Sequence, residues 1–307
     1  MNDRRKISID VHLDSVSEVI GFSKVLDDPS YFTVMDRFLK IADQRGFKLS
    51  LFLIGRELED AKKFAQVGQW QKLGHEIGNH SYNHHVDLSR FDAASCHEEV
   101  HRAHQIIEAA CGVPPVGFIS PGWGGSHNLW TSLAKLGYSY DTSLFPSWLM
   151  LPQYLFWITR FFGNPRHGRF LRRGWDVHRH LLASREAVSF NGGNNTNLHI
   201  LPIPTTRHRI ACWHSLAFYL GWDRYERLLR SALRSTPVFH YVMHVGDLLS
   251  SEDLGNPGQG HYMPRVDSSV REKEALFNRV LDIFESEEKE ITTTKKLVAE
   301  AFAAKET

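Results

Sequence analysis

The sequence predicts an α/β chain folded as an irregular (β/α) barrel, TIM-barrel-like with about seven strands. Three observations carry that expectation. Short apolar runs alternate with longer amphipathic stretches along most of the 307 residues, the order that builds a parallel sheet with right-handed crossovers. The chemically suggestive residues fall at the C-terminal ends of several strands, where a barrel assembles its site, rather than at one switch point of an open sheet. Neither an internal repeat nor a long low-complexity linker divides the chain, so residues 1–307 read as one domain.

The elements follow in order. Residues 6–11 form an apolar strand, and residues 31–45 an amphipathic helix that Gly46 can end. Residues 49–54 read as a buried strand, 57–72 as a helix, 76–79 as a short strand, 92–110 as a helix and 116–119 as a strand. A helix at 129–136 and a short strand at 138–141 come next. Beyond an irregular middle lie strands at 198–204 and 238–244, with a helix at 223–233 between them. A helix at 269–285 and a strand at 290–294 complete the pattern.

Composition narrows the function classes. With 36 basic against 35 acidic side chains, nothing in the charge balance points to nucleic acid. The 18 histidines raise the expectation of metal or acid/base chemistry, because imidazole is both the commonest metal ligand and a group that titrates near neutrality. Cys96, Cys111 and Cys212 are widely spaced with no C-x-x-C pair, which argues against a disulfide framework and a structural zinc knuckle. The start MNDRRKISIDV runs from a polar stub into a strand without an apolar leader, so the expected location is cytoplasmic.

The strongest local signal is Gly78-Asn79-His80-Ser81-Tyr82-Asn83-His84-His85, where His80 and His84 follow a short strand closely enough to aim at one ion. The competing reading is a pair of surface histidines in a polar loop. Asp10, His12 and Asp14 alternate at the end of the first strand and share a face if the chain stays extended, although Asp14 alone could be a cap and His12 solvated. Far along the chain, Val238-Phe239-His240-Tyr241-Val242-Met243-His244 is an apolar strand ended by a histidine, which could equally be a satisfied rim residue.

This ordered set resembles the motifs of the polysaccharide deacetylase (NodB-homology) family: the Asp-bearing first strand, "NHSYNHH", "GFISPGW", "YSYDTSLFP" and "VFHYVMH", spanning Asp10 to His244. The resemblance implies the NodB-type barrel and metal-dependent hydrolysis of an N-acetyl or N-formyl amide on an amino sugar. It also implies Asp10 as general base, His80 and His84 as ligands of one divalent ion, commonly zinc, and His244 as general acid. Pro121, Gly122, Trp123 and Asp141 would contact substrate, with backbone N–H groups around Gly122 and Trp123 near the developing oxyanion. Such roles suit the chemistry, since an amide needs a polarised carbonyl, one base for water and one acid for the amine. "NLHILPIPTTR" and the cytoplasmic start make the chain look most like deacetylases and deformylases of lipid-linked sugars.

Two positions depart from the family pattern. The second aspartate of the first motif is absent; strand register favours His12 as the third ligand, whereas a carboxylate preference favours Asp14 if the strand bulges. Ile119 stands where the family has an arginine that holds the base, so a catalytically silent protein that binds a glycan or glycolipid is the alternative function.

Between Thr142 and Trp175 there is no acidic residue. This insertion, at about 142–175, joins the aromatic run "LFPSWLMLPQYLFWITRFF" to Arg160, Arg166, Arg169, Arg172 and Arg173. Pro146, Pro152 and Arg160 interrupt the apolar stretch, which argues against a spanning helix of roughly 20 apolar residues. Two readings remain: residues 144–173 contact an anionic membrane surface on its inner face, or they pack over the barrel mouth as a lid. A polyprenyl-phosphate-linked sugar would meet both the apolar and the cationic halves.

Overall fold

The computed structural model describes residues 5–15, 28–160, 177–193, 197–254 and 264–303. The strands are β1 (Lys6–Leu13), β2 (Ser50–Leu53), β3 (Glu76–Asn79), β4 (Gly117–Phe118), β5 (Tyr140–Leu144), β6 (Val188–Asn191), β7 (Asn197–Pro202), β8 (Phe239–His244) and β9 (Glu290–Thr292). The helices are α1 (Met35–Gln44), α2 (Ala61–Lys72), α3 (Ala93–Cys111), α4 (His127–Lys135), α5 (Met150–Arg160), α6 (Val177–Leu182), α7 (Trp222–Ser235), α8 (Val270–Ser286) and α9 (Thr294–Ala303). A short helical turn, Ala217–Leu220, precedes α7.

One sheet runs β6-β7-β5-β4-β3-β2-β1-β8, with β9 paired to the first half of β1. From β7 to β8 every neighbouring pair is parallel, a run of seven strands, while β6 adds an antiparallel edge. This is the expected α/β barrel-like sheet. It stops short of full closure, because among the described residues no ladder joins β7 to β8. Side chains cross that seam instead: His240 Nε2 donates to Pro202 O at 3.1 Å, and Thr236 Oγ1 to Thr205 O at 3.2 Å.

Local sequence explains most element ends. The Asp60 side chain accepts from Lys62 N and Lys63 N to start α2, the Asp92 side chain from Ser95 N to start α3, and Ser269 with Glu272 forms a reciprocal cap on α8. Gly112 ends α3 in the left-handed region at φ 72°, where an L side chain is disfavoured. Three elements lie in stretches without a clear period: β6 is largely exposed, α5 belongs to the insertion, and α9 begins at Thr294, which ends the last strand at Thr292 rather than 294. Of the insertion, residues 161–176, including Arg166, Arg169, Arg172 and Arg173, lie outside the described residues.

Alternation along β1 separates two environments. Ile7, Ile9, Val11 and Leu13 join the apolar core beneath the helices, whereas Ser8, Asp10 and His12 make polar contacts across the sheet interior. That interior is layered. At the bottom, Tyr140 Oη donates to Glu76 Oε1 and Ser50 Oγ to Glu76 Oε2, both at 2.8 Å. The first turn of α9 adds Lys295 N to Glu76 Oε2 at 2.8 Å and Thr294 N to Ser50 Oγ at 2.8 Å. A helix N-terminus brings unpaired N–H donors, which suits a buried carboxylate. The layer above holds Asp10 and His240, and the strand ends hold His12, His80 and His244.

Candidate metal centre

β3 ends at Asn79, and the next residues turn sharply across the sheet. Ser81 and His84 adopt left-handed conformations at φ 64° and 57°, a strained choice for non-glycine residues that marks a built loop. Its supports are specific. Asn79 Oδ1 accepts from Ser81 N at 2.7 Å, Ser81 Oγ from His84 N at 3.1 Å, and the Glu99 carboxylate on α3 accepts from Asn83 N and, at 2.9 Å, Asn83 Nδ2. Asn79 is itself held by Tyr138 Oη at 2.7 Å and Val100 O at 3.1 Å.

The loop presents both imidazoles to Asp14. Asp14 Oδ1 lies 3.0 Å from His80 Nε2 and 3.3 Å from His84 Nε2. Donor atoms of the three residues all fall within 4.8 Å of one another. His80 Nδ1 meets the backbone carbonyl of Ile119 at 2.8 Å; a carbonyl only accepts, so the proton sits on Nδ1 and the Nε2 lone pair faces Asp14. Asp14 Oδ1 and His84 Nε2 are buried, yet neither makes a hydrogen bond of proper angle with a described residue. Nitrogen and oxygen lone pairs that converge without bonding one another fit a divalent ion. Burial raises the Asp14 carboxyl, but positive charge on His84 and His80 outweighs it and holds the group well below the usual carboxylate range; a cation between them would act in the same direction.

Of the two candidates for the third position, His12 and Asp14, the converging set contains Asp14. The reason lies in the strand: β1 ends at Leu13, so Asp14 is no longer pinned to the ladder and reaches over its end. His12 stays on the strand, in register with Phe52 and His244, its ring centroid 5.2 Å from His80 and 4.8 Å from His244. It is only 2% exposed, and its Nε2 has no hydrogen-bond partner among the described residues. Burial, then the neighbouring His244 and His80, hold its imidazole well below the ordinary value, so the ring is neutral.

The remaining expected residues divide into mouth and scaffold. His244 ends β8 at the mouth, its backbone N–H donating to Asp247 Oδ2 at 2.8 Å. Trp123 packs 5.9 Å from His244, 4.7 Å from Phe145 and 6.2 Å from Trp213 between centroids, forming an aromatic wall. Pro121, buried, and Gly122 lead into it, Gly122 at φ 63° and Trp123 at φ 57°. The N–H of Trp123 is committed to Ser120 O at 3.0 Å. Asp141, expected to contact substrate, is fully enclosed: Trp130 Nε1 donates to Oδ2 at 2.9 Å, and Ser143 bonds Oδ1 through N–H and hydroxyl. Burial pushes its carboxyl up to about 6 against those bonds.

Asp10 is likewise enclosed, below the strand ends. Oδ2 is 3.0 Å from His240 Nδ1, and Oδ1 lies within reach of the Thr294 and Ser8 hydroxyls. Sequence reading gave no role to Thr294 and Glu76, which lie outside the quoted motifs, nor to Tyr140 and Phe145, which lie within "YSYDTSLFP"; the alternation of Asp10, His12 and Asp14 was the hint of a polar interior.

The polysaccharide deacetylase family model matches residues 26–140. Over those residues the chain is similar to the polysaccharide deacetylase family. Folds agree over nearly the whole length: a Mycobacterium smegmatis protein provisionally described as a polysaccharide deacetylase superposes with a TM-score of 0.60 at 14% identity, covering 99% of this chain and 93% of its own. PuuE allantoinase superposes with a TM-score of 0.58 at 12% identity, covering 96% and 89%. At these identities the likeness is one of fold. Among curated proteins, the Bacillus subtilis protein YlxY is 35% identical over 91 residues, which is 28% of this chain and 26% of that protein. A Bacillus gellan lyase is 32% identical over 96 residues, 30% of this chain and 4% of that protein. The match thus spans about a quarter or less of these curated relatives. Among the described residues no helix is long and apolar enough to cross a membrane.

Proposed function

We propose that this chain is a polysaccharide deacetylase that hydrolyses the N-acyl amide of an amino sugar with the aid of one divalent ion, zinc by the chemistry of its ligands. The observation that carries this reading is the convergence of Asp14, His80 and His84 within 4.8 Å at the strand ends. Two imidazoles and a carboxylate leave a tetrahedral ion one open position, as in hydrolytic sites. An ion there would polarise the acyl carbonyl and acidify water.

The chain's own groups supply the rest. His80 is oriented by Ile119 O, and His84 by the Ser81 turn. Gly122 N–H, on the turn that carries Trp123, is suited to the acyl oxygen as charge develops on it. His244 delivers a proton to the departing amine. The wall of Trp123, Phe145 and Trp213 excludes water and offers an apolar face to the acyl group or sugar ring.

The finer reading concerns the carrier. Trp148, Leu151, Leu155 and Leu182 are 56%, 44%, 61% and 83% exposed, and all lie on or beside α5 and α6. Trp148, Leu151 and Leu155, in a segment devoid of acidic residues, support a polyprenyl-phosphate-linked substrate and contact with the inner face of a membrane. Glycan binding without turnover is the second reading, favoured by Ile119 in place of the family's arginine and by the enclosure of Asp10. The deciding experiment measures acetate and formate released by the zinc-loaded protein from N-acylated amino sugars that are free, nucleotide-linked or polyprenyl-phosphate-linked. Release from the lipid-linked member is expected. Binding of a panel member without release would establish the second reading.

A further inference from the structure

We infer that α3 carries a second divalent-ion site, formed by His97 and His101 beside α4 and suited to a transition ion of the class that imidazole selects, such as zinc. The two residues stand four apart on one helix, so their side chains lie one above the other on the same face. Their ring centroids are 5.5 Å apart and their planes 11° from parallel. Two imidazoles bound to one tetrahedral ion at about 2.0–2.1 Å set their ring centres roughly 5 Å apart, so a short movement closes this pair on an ion.

The first ring is held as a proposed ligand at the mouth is held. His97 Nδ1 meets Ser132 Oγ on α4 at 2.9 Å; with the hydroxyl accepting, the proton sits on Nδ1 and the lone pair on Nε2. His80 is fixed in the same way, through Nδ1 to Ile119 O at 2.8 Å, and His84 follows it by four residues with a ring centroid 5.0 Å away. Among the described residues neither Nε2 of His97 nor either ring nitrogen of His101 has a hydrogen-bond partner. Both rings are partly exposed, so an ion can enter from solvent and water can fill its remaining positions. Burial, then His101 and Lys135, lower the His97 imidazole below its ordinary value, while Glu98 acts in the opposite direction; the ring is neutral and keeps its lone pair for a metal.

This site shares a helix with the supports of the histidine loop but none of its donors. Glu99 holds Asn83 Nδ2 at 2.9 Å, and Val100 O accepts from Asn79 Nδ2 at 3.1 Å. Two protein donors bind an ion less tightly than the three at the mouth, so the α3 ion is the exchangeable one. An ion that spans one turn of the folded helix, and finds no such pair in the unfolded chain, stabilises the folded form by mass action.

The test titrates the metal-stripped full chain with zinc by calorimetry, comparing wild type with His97→Gln, His101→Gln, Ser132→Ala and His84→Ala. Wild type is expected to take up two ions, in a tight and a weaker step. His97→Gln and His101→Gln should each lose the weaker step and keep the tight one, whereas His84→Ala should impair the tight step and keep the weaker. Ser132→Ala is expected to weaken only the second step, by about tenfold, as loss of an outer partner does. In the nitrogen-15 spectrum of the imidazoles, zinc beyond the first equivalent should shift His97 and His101. A single tight step in wild type, or a weaker step that persists when both His97 and His101 are glutamine, overturns the inference. A wild type with the weaker step alone, lost in His97→Gln, supports it while removing the metal centre at the mouth.

Discussion

At the scale of single residues, a metal ligand is selected by what holds its other atoms. His80 Nδ1 is held by Ile119 O, and positive charge beside Asp14 keeps its proton affinity low. Asp14→Asn and His84→Ala are each expected to weaken zinc binding by more than roughly a hundredfold, beyond the 10–100-fold usual for an outer partner, while His12→Ala changes it less. Competition against a chelator measures the order, and a larger loss in His12→Ala would return His12 to the ligand set. His75 gives a separate prediction on stability. Burial, with Lys48 adding to it, lowers its imidazole to about 4, and the Nδ1 atom must stay unprotonated to accept from Leu49 N at 3.1 Å. The unfolded chain binds that proton near pH 6.5 and the folded one does not, so this contribution is complete above about 6.5 and is lost as pH falls toward 4. Urea unfolding in this window should show a shallower decline for His75→Asn than for wild type; parallel curves would remove His75 from the account.

At the scale of elements, the interior layers depend on glycines that leave room for rings. A Cβ on Gly117 would lie 2.2 Å from Tyr140, the residue that holds Glu76 at 2.8 Å, and one on Gly78 would lie 2.6 Å from Phe52. Gly117→Ala is expected to cost about 1–3 kcal/mol through overpacking, read as a lower denaturant midpoint. An unchanged midpoint would show that Tyr140 moves freely. Asp10→Ala should be more severe, on the order of 3–5 kcal/mol, because it leaves His240 and Thr294 without their shared partner in a buried layer. If stability survives while only turnover falls, the brace across the seam is unnecessary and Asp10 acts in the chemistry.

At the scale of the whole molecule, the seven parallel strands direct the side chains of the proposed hydrolytic site to one end, while α9 brings its first N–H groups to Glu76 and Ser50 at the other. On the outside, the exposed side chains around α5 and α6 form the surface proposed to meet lipid. The protein is expected to co-sediment with anionic vesicles and to be released as salt rises, because the charge part of the attraction is screened. Leu155→Ser should reduce that binding several-fold without altering zinc affinity. Equal partitioning to neutral and anionic vesicles, or none to either, would favour the lid.

The sequence by itself determined the alternation of strands and helices, most of their boundaries and the histidine loop, because periodicity and caps are local properties of neighbouring residues. It also placed Asp10, His12 and Asp14 on one face, since alternation along a strand needs no tertiary information. Which of them meets the ion's position was not local. Asp10 is engaged by residues 230 and 284 positions away, and the end of β1 at Leu13 lets Asp14 cross to the β3 loop while His12 remains beside His244. The open β7–β8 seam, the aromatic wall and the docking of α9 likewise arise from contacts between distant segments, where burial and hydrogen-bond partners are set by the fold as a whole.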